Sequence, residues 1–573
     1  MKKKILLLLI LVVAAVAFYS ALRLTDTRNE ADFLLVNGTV YTLEGKAGIA
    51  GAVAIHGDRI IATGTPGELT DRYPRAEQLD LHGATVVPGL IDGHAHVAGE
   101  GARLEGVNLV GTGSVRQIVD LVAGRVKTLS PGKWVIGRGW DQNDWDVKAF
   151  PTHNLLSSVS PVNPVVLRRV DGHAIWVNAR AMELAGIDRA TPDTAGGRIF
   201  RDASGNPTGI FVDNAEELVL RAIPEPADDD IERQLLLAME ECSKFGLTEV
   251  HDMGVDLQTI RVYKKLIAGN RCPVRIYAAI GGPGETWNHY LTTGPEIGFG
   301  GGMLTVRAIK LYIDGALGSR GAALIDAYSD DPGNRGLTIM SEQELESVCG
   351  MALRHGFQVC THAIGDRGNL IVLNEYERAL QQQSHGTPSP RWRIEHAQIV
   401  RPSDIPRFFK AGIIPSMQPT HATSDMYWAV DRLGNERIQG AYAWRSFLNT
   451  GCRIIGGSDS PIESSNPLLG IYAAITRTDA TGYPPGGWMP QERMTREEAL
   501  RCFSEWAAEG SFEEGQKGRI APGMWADLTV LSRDIMKIEP KDILQTEVVM
   551  TIVGGRIVYR NDRFAGDRNA VVN

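Results

Sequence analysis

The chain has 573 residues, of which 22% are charged and 43% hydrophobic, with a formal net charge of −9. This is the composition of a folded protein too long for one small core, so two domains, or one large barrel with an accessory domain, are expected. The absence of a Lys/Arg stripe beyond the first residues excludes nucleic acid as a partner. Six scattered cysteines without a CxxC exclude a disulfide framework or zinc ribbon and read as small buried hydrophobes.

Residues 1–30 begin with Lys2, Lys3 and Lys4 ahead of an uncharged apolar run at 5–22. This is either a signal peptide, cut after Ala15-Val16-Ala17, or a retained membrane anchor. The run continues unbroken past the Ala-x-Ala, which favours the anchor. Both readings place the rest of the chain outside the cytoplasm, periplasmic or secreted. Asn37-Gly38-Thr39 is a weak match to a glycosylation sequon.

Residues 31–87 read as short strands and turns: ADFLLVNGTVYTL carries an Asn-Gly turn signal and GAVAIHGDRIIATG a Gly-Asp turn. Residues 510–573 read alike, with WADLTVLS and then VVMTIVGGRIVYRND. Neither end has enough strands for a closed sheet. Both ends are therefore expected to pair into one composite β-sandwich domain.

Residues 88–509 alternate strands with longer helical patterns. After the apolar run that leads into PGLIDGHAHV, strands are expected at 248–252, 274–279, 305–313, 358–362, 393–396, 413–416 and 453–457. Helices are expected from Ser341 and from Asp366. About eight repeats of this alternation predict an α/β fold, a (β/α)8 TIM-like barrel. A stretch at about 100–245 breaks the rhythm and is expected to form a large lid insertion beside the barrel mouth.

Barrel enzymes carry their chemistry at the C-terminal ends of strands. The first strand ends in His94-Ala-His96, and alternation along a strand aims residues i and i+2 at one spot, as a metal requires. Later strands contribute Lys310, His362, His396 and Asp459. Individually, each has an ordinary reading: a polar strand end, a helix cap, a lysine paired with Asp314. Together, four histidines, a lysine and an aspartate at one barrel end predict a metal site.

Those residues lie in PGLIDGHAH, IKLYIDGALGSRGAAL, THAIGDRGN, RIEHAQI and GSDSP. With GRGWDQNDW, RRVDGHAIWVN, YSDDPGNRG, SMQPTHATSDM and GRIAPGMWADLTVL, they spread over about residues 31–562. On these motifs the chain resembles the amidohydrolase superfamily of metal-dependent hydrolases, in its YtcJ-like branch (amidohydrolase family 3), which includes N-substituted formamide deformylases. The resemblance implies a divalent metal, zinc by expectation, one or two per chain. His94, His96 and Asp459 would hold the first metal and His362 and His396 the second. Lys310, carboxylated on its side-chain nitrogen, would bridge them, and Asp459 would be the catalytic base. It implies hydrolysis of a C–N bond in a small-molecule amide, formamide or cyclic amide. Two alternatives are non-hydrolytic chemistry such as isomerisation, and a non-catalytic binding protein on the same scaffold.

Substrate contacts are expected from Trp140, Asp141 and Trp145 in GRGWDQNDW, Asp171 and His173 in RRVDGHA, His251 with Asp252 at the second strand end, and Arg320 in GSRGA. The competing reading for these is packing within the lid or loop order. The tryptophans suggest an apolar or aromatic substrate portion. A homo-oligomer is compatible with such a fold, and fold alone does not decide assembly.

Overall fold

A computed structural model describes residues 30–45, 48–169, 174–194, 197–382 and 388–564. The expected signal peptide or anchor, Asp171 and His173 lie outside the described residues. Among the described residues no helix is long and apolar enough to cross a membrane.

The chain divides into two compact units, residues 97–238 and the remainder. In the larger unit, eight strands run parallel in sequence order: Leu90–Ala95, Leu247–Val255, Arg275–Gly281, Leu304–Tyr312, Gln358–Ala363, Arg393–His396, Ile414–Met417 and Ile455–Gly456. The turn of this sheet brings its edges together. Asp459 N–H donates to His94 O at 2.7 Å, and Ala95 bridges Ser460 in parallel. The result is the expected TIM-like barrel. The helix Glu342–His355 begins where the sequence signals a cap: Ser341 accepts from Glu344 N and Glu344 answers in a capping box.

The two chain ends share one six-stranded sheet. Leu528–Leu531 pairs antiparallel with both Thr85–Pro88 and Val548–Val553, and Thr39–Tyr41 joins on the far side of Thr85–Pro88. A four-stranded sheet holds Phe33–Val36 and the hairpin Ala52–His56 with Arg59–Gly64. Leu35, Val53 and Ile55 from the small sheet and Val86, Leu528, Val530 and Ile552 from the large one fill a single core.

Two local readings of the sequence differ from this. The Asn37-Gly38 signal does not close a hairpin: Phe33–Val36 and Thr39–Tyr41 enter different sheets, so the turn carries the chain from one layer to the other. The apolar run before His94 is two strands, Thr85–Pro88 in the large terminal sheet and Leu90–Ala95 in the barrel. The break falls at Gly89, where a Cβ would stand 2.3 Å from Thr248 Oγ1, so no side chain fits where the chain passes between sheets.

The unit of residues 97–238 has its own six-stranded mixed sheet. Its order is Gly197–Arg201, Pro207–Asp213, Ala174–Val177, Val165–Arg169, Val135–Trp140 and Val107–Asn108. Trp140, Trp145 and Trp176 lie in its core. All six cysteines of the chain are buried and free.

Candidate metal centre

The C-terminal end of the barrel gathers imidazoles around one carboxylate. His94 Nε2 and His96 Nε2 lie 3.4 and 3.3 Å from Asp459 Oδ1. His396 and His421 converge on the same aspartate, and His421 Nε2 is 3.7 Å from Asp459 Oδ2. In each trio, one donor atom from every residue lies within 4.8 Å of the others. Lys310 Nζ is 3.1 Å from His94 Nε2. The His362 ring centroid is 4.6 Å from that of His396, and its Nε2 is 3.5 Å from Asp314 Oδ1, outside both trios.

The surrounding side chains fix which nitrogens face inward. His94 Nδ1 and Glu395 Oε2 are 2.6 Å apart, both fully buried, so the N–H donates outward and Nε2 is left to face Asp459. His396 Nδ1 is tied to Gln418 Oε1 at 2.7 Å in the same way. Backbone conformation contributes too. His396 and Asp459 have φ of 70° and 57°, in the left-handed region that non-glycine residues rarely occupy. At His396 this breaks strand alternation, so neighbouring Glu395 and His396 both reach the cluster.

Charge is balanced around the cluster. Burial pushes the Asp459 carboxyl up, but the close imidazoles of His94 and His96 outweigh it and hold the group well below the usual carboxylate range. Burial lowers Lys310 to about 8, against the pull of Glu395 and Asp459. Burial also lowers His396 far below its ordinary value and takes His362 to about 3, with Lys310 adding to the latter. These imidazoles are therefore neutral lone-pair donors at neutral pH.

A second layer of charge lies inside the barrel. Arg393 donates to Gly93 O at 2.6 Å, Ser416 Oγ at 2.9 Å and Glu395 Oε2 at 3.0 Å, and its other arm reaches His251 Nδ1 at 2.9 Å. His251 Nε2 meets Glu249 Oε1 at 3.0 Å, and Glu249 pairs with Lys517.

The donor set suits a divalent cation. Among the described residues, Nε2 of His362 and of His421 are buried with no hydrogen-bond partner. The unpartnered nitrogen of His421 beside Asp459, with that of His362 next to the His396 ring, forms the nitrogen–oxygen environment that zinc-like metals take. A cavity of about 430 Å³ opens on the cluster, with His96, Lys310, His362, His396, His421 and Asp459 in its lining.

The expected substrate contacts are distributed differently. Trp140 and Trp145 are buried, with their indole N–H groups donated to Leu167 O and Thr112 O. Asp141 pairs with Arg169 at 2.7 Å. His251 is fully buried between Arg393 and Glu249, and Asp252 accepts from the Tyr263 hydroxyl at 2.7 Å. Arg320 pairs with Asp330 within its own loop. Within the barrel unit, His251, Asp252 and Arg320 are not among the residues that line the cavity, whereas Ala316, Leu317 and Gly318 of the Arg320 loop are.

Sequence reasoning passed over His421, Gln418 and Glu395. His421 lies beyond the seventh strand, Ile414–Met417, on the helix Pro419–Asp425, so asking only what each strand ends in misses it.

A parallel eight-stranded barrel whose strand ends converge imidazoles, a lysine and a carboxylate is the scaffold of metal-dependent hydrolases. The chain belongs to the amidohydrolase family, which it matches over residues 77–559. Residues 51–76 match an imidazolonepropionase-like composite domain of bacteria. The chain is 33% identical to YtcJ of Bacillus subtilis (strain 168), covering 91% of this chain and 98% of the relative. It is 28% identical to the N-substituted formamide deformylase of Arthrobacter pascens, covering 92% and 98%. Among solved structures, an uncharacterized metal-dependent hydrolase from Pyrococcus horikoshii OT3 superposes with a TM-score of 0.74 at 27% identity, covering 88% of this chain and 98% of that one.

Proposed function

We propose that this hydrolase cleaves a C–N bond of an amide, formamide or cyclic amide at a divalent metal site, zinc by preference, to give an acid and an amine. The observation that carries the reading is the two histidine pairs, His94 with His96 and His396 with His421, that share Asp459 in the lining of a cavity. The deformylase relative acts, by its name, on N-substituted formamides, which supports the bond class.

His94, His96 and Asp459 would hold one cation. His396, with His362 or His421, would hold a second. When bound, such a cation acidifies water and polarises a carbonyl. Asp459 is kept ionised by the His94 and His96 contacts, so it can accept a proton from the attacking water and return it to the leaving nitrogen. Its Oδ2 faces His421, while Oδ1 faces His94 and His96. Lys310 would bridge after carboxylation: its neutral amine adds to carbon dioxide and loses one proton, giving a carbamate. Complete burial lowers its pKa to about 8, which raises the share of the neutral amine that this needs.

Elemental analysis of the full chain beside a Lys310→Ala variant tests the site. Two metals per chain in the parent and a loss in the variant are expected. One metal in both would remove Lys310 from the site, and none in either would sink the metal-hydrolase reading. The proposal includes a location outside the cytoplasm, periplasmic or secreted, either free after cleavage or anchored by residues 5–22; the basic residues ahead of the apolar run support it. Recovery of the expressed chain in the cytoplasmic fraction would refute that placement.

A further inference from the structure

The lining of the cavity is uneven in charge. Histidines aside, Lys310 is the only basic side chain among its described residues, and it is turned to His94. Besides Asp459, the lining carries two carboxylates, Asp425 and Glu463. Asp425 is committed to neighbours: the Tyr442 hydroxyl donates to it at 2.6 Å and Gln398 Nε2–H at 3.3 Å. Burial chiefly holds the Asp425 carboxyl above its usual range, and the negative charge of Glu463 adds to the rise. Glu463 itself has no hydrogen bond or ion pair among the described residues. Leu317, Trp428 and Ile462 supply an apolar wall. The nearby Arg320 and Arg432 share Asp330 and are not part of the lining.

Away from the cluster that would hold the cations, a remote carboxylate would meet Asp425 and Glu463 and no free guanidinium or ammonium among the described lining residues. A cation would find in Glu463 a carboxylate without a counter-ion. We infer that the site takes amides whose remote part is an apolar body ending in a cation, an ammonium or amidinium that pairs with Glu463, and that it rejects amides with a remote carboxylate such as acylated amino acids. The inference rests on the reading of this cavity as the substrate pocket. It makes Glu463 a specificity residue acting by attraction toward one class and repulsion toward the other.

The test uses full-length, metal-loaded protein and three N-benzylformamides that differ only in the para group: methyl, aminomethyl or carboxylate. Stopped-flow tryptophan fluorescence reads affinity before turnover, and amine release reads hydrolysis. The aminomethyl compound should bind tightest and the carboxylate about tenfold or more weaker, as like-charge juxtaposition requires. In Glu463→Gln, the affinity ratio of aminomethyl to methyl compound should fall about fivefold, the worth of one partly exposed ion pair. A carboxylate compound that binds as well as the aminomethyl one, a ratio unmoved in Glu463→Gln, or no binding by any of the three overturns the inference. Binding in the expected order without amine release would instead overturn amide hydrolysis and leave the charge preference standing.

Discussion

Replacing Glu395 with glutamine keeps its shape and removes its charge, and two consequences follow from the geometry. The first concerns Arg393, whose Nε and Nη2 lie 2.7 and 3.0 Å from the Glu395 oxygens, with both side chains fully buried. Removing one partner of such a pair leaves an uncompensated buried charge, a loss of about 3–5 kcal/mol. Gly93 O and Ser416 Oγ still accept from Arg393, so the expected loss lies near 3 kcal/mol, the lower end of that range. The second concerns His94. Its Nδ1–H loses a charged acceptor at 2.6 Å, which makes Nε2 a poorer donor and frees the ring to turn. Loss of such an outer partner lowers metal affinity about 10–100-fold. Urea unfolding of the metal-free protein measures the first effect, and zinc competition against a chromogenic chelator the second. Glu395→Asp, which keeps the charge, should recover part of both. A Glu395→Gln protein that unfolds at the parental urea concentration and binds zinc within twofold of the parent would refute the argument.

Two further outcomes concern stability. His251 is neutral in the fold because burial, and then Arg393, lower its pKa far below the ordinary value. The unfolded chain takes up a proton near pH 6.5, whereas the folded chain does not, so stability is fully present above that pH and declines as pH falls below it. The slope is about 1.4 kcal/mol per pH unit for this one group, and urea titrations at pH 7.5 and 5.5 should show it reduced in His251→Gln. Asp314 accepts backbone N–H groups from Ala323 at 2.8 Å, Ile364 at 3.0 Å and Gly365 at 2.8 Å. Asp314→Ala leaves these three donors unpartnered, at about 1–3 kcal/mol each. The expected result is a clear fall in the unfolding midpoint, and an unchanged midpoint would show that water replaces the carboxylate without cost.

Much of the barrel was legible because its strands are buried on both faces and read as short apolar runs separated by helical periods. Each predicted strand from 248–252 to 453–457 overlaps an observed one. The gathering of His94, His96, His396 and Asp459 was legible because strand ends are where a barrel concentrates chemistry. What escaped depended on backbone detail. The division of the first apolar run at Gly89 is set by Thr248, a residue far away in sequence. Asn37-Gly38 carries a turn signal in either a hairpin or a layer crossing, and tertiary pairing decides between them. Glu395 reads as an ordinary strand residue until the left-handed backbone of His396 brings both side chains to one site. The tryptophans of GRGWDQNDW carry no mark that separates a substrate wall from the core of their own unit. In the structure Trp140 and Trp145 sit in that core.

The most direct test of the account is the product of the reaction. Metal-loaded full-length protein is incubated with an N-substituted formamide while formate and amine are quantified together. The account predicts the two in equal amounts, with the rate falling about 10²–10⁴-fold in Asp459→Asn, the share ordinarily carried by a positioned proton-transfer group. Consumption of the compound to a product of unchanged mass, or full metal loading with neither formate nor amine from any amide tried, would contradict it.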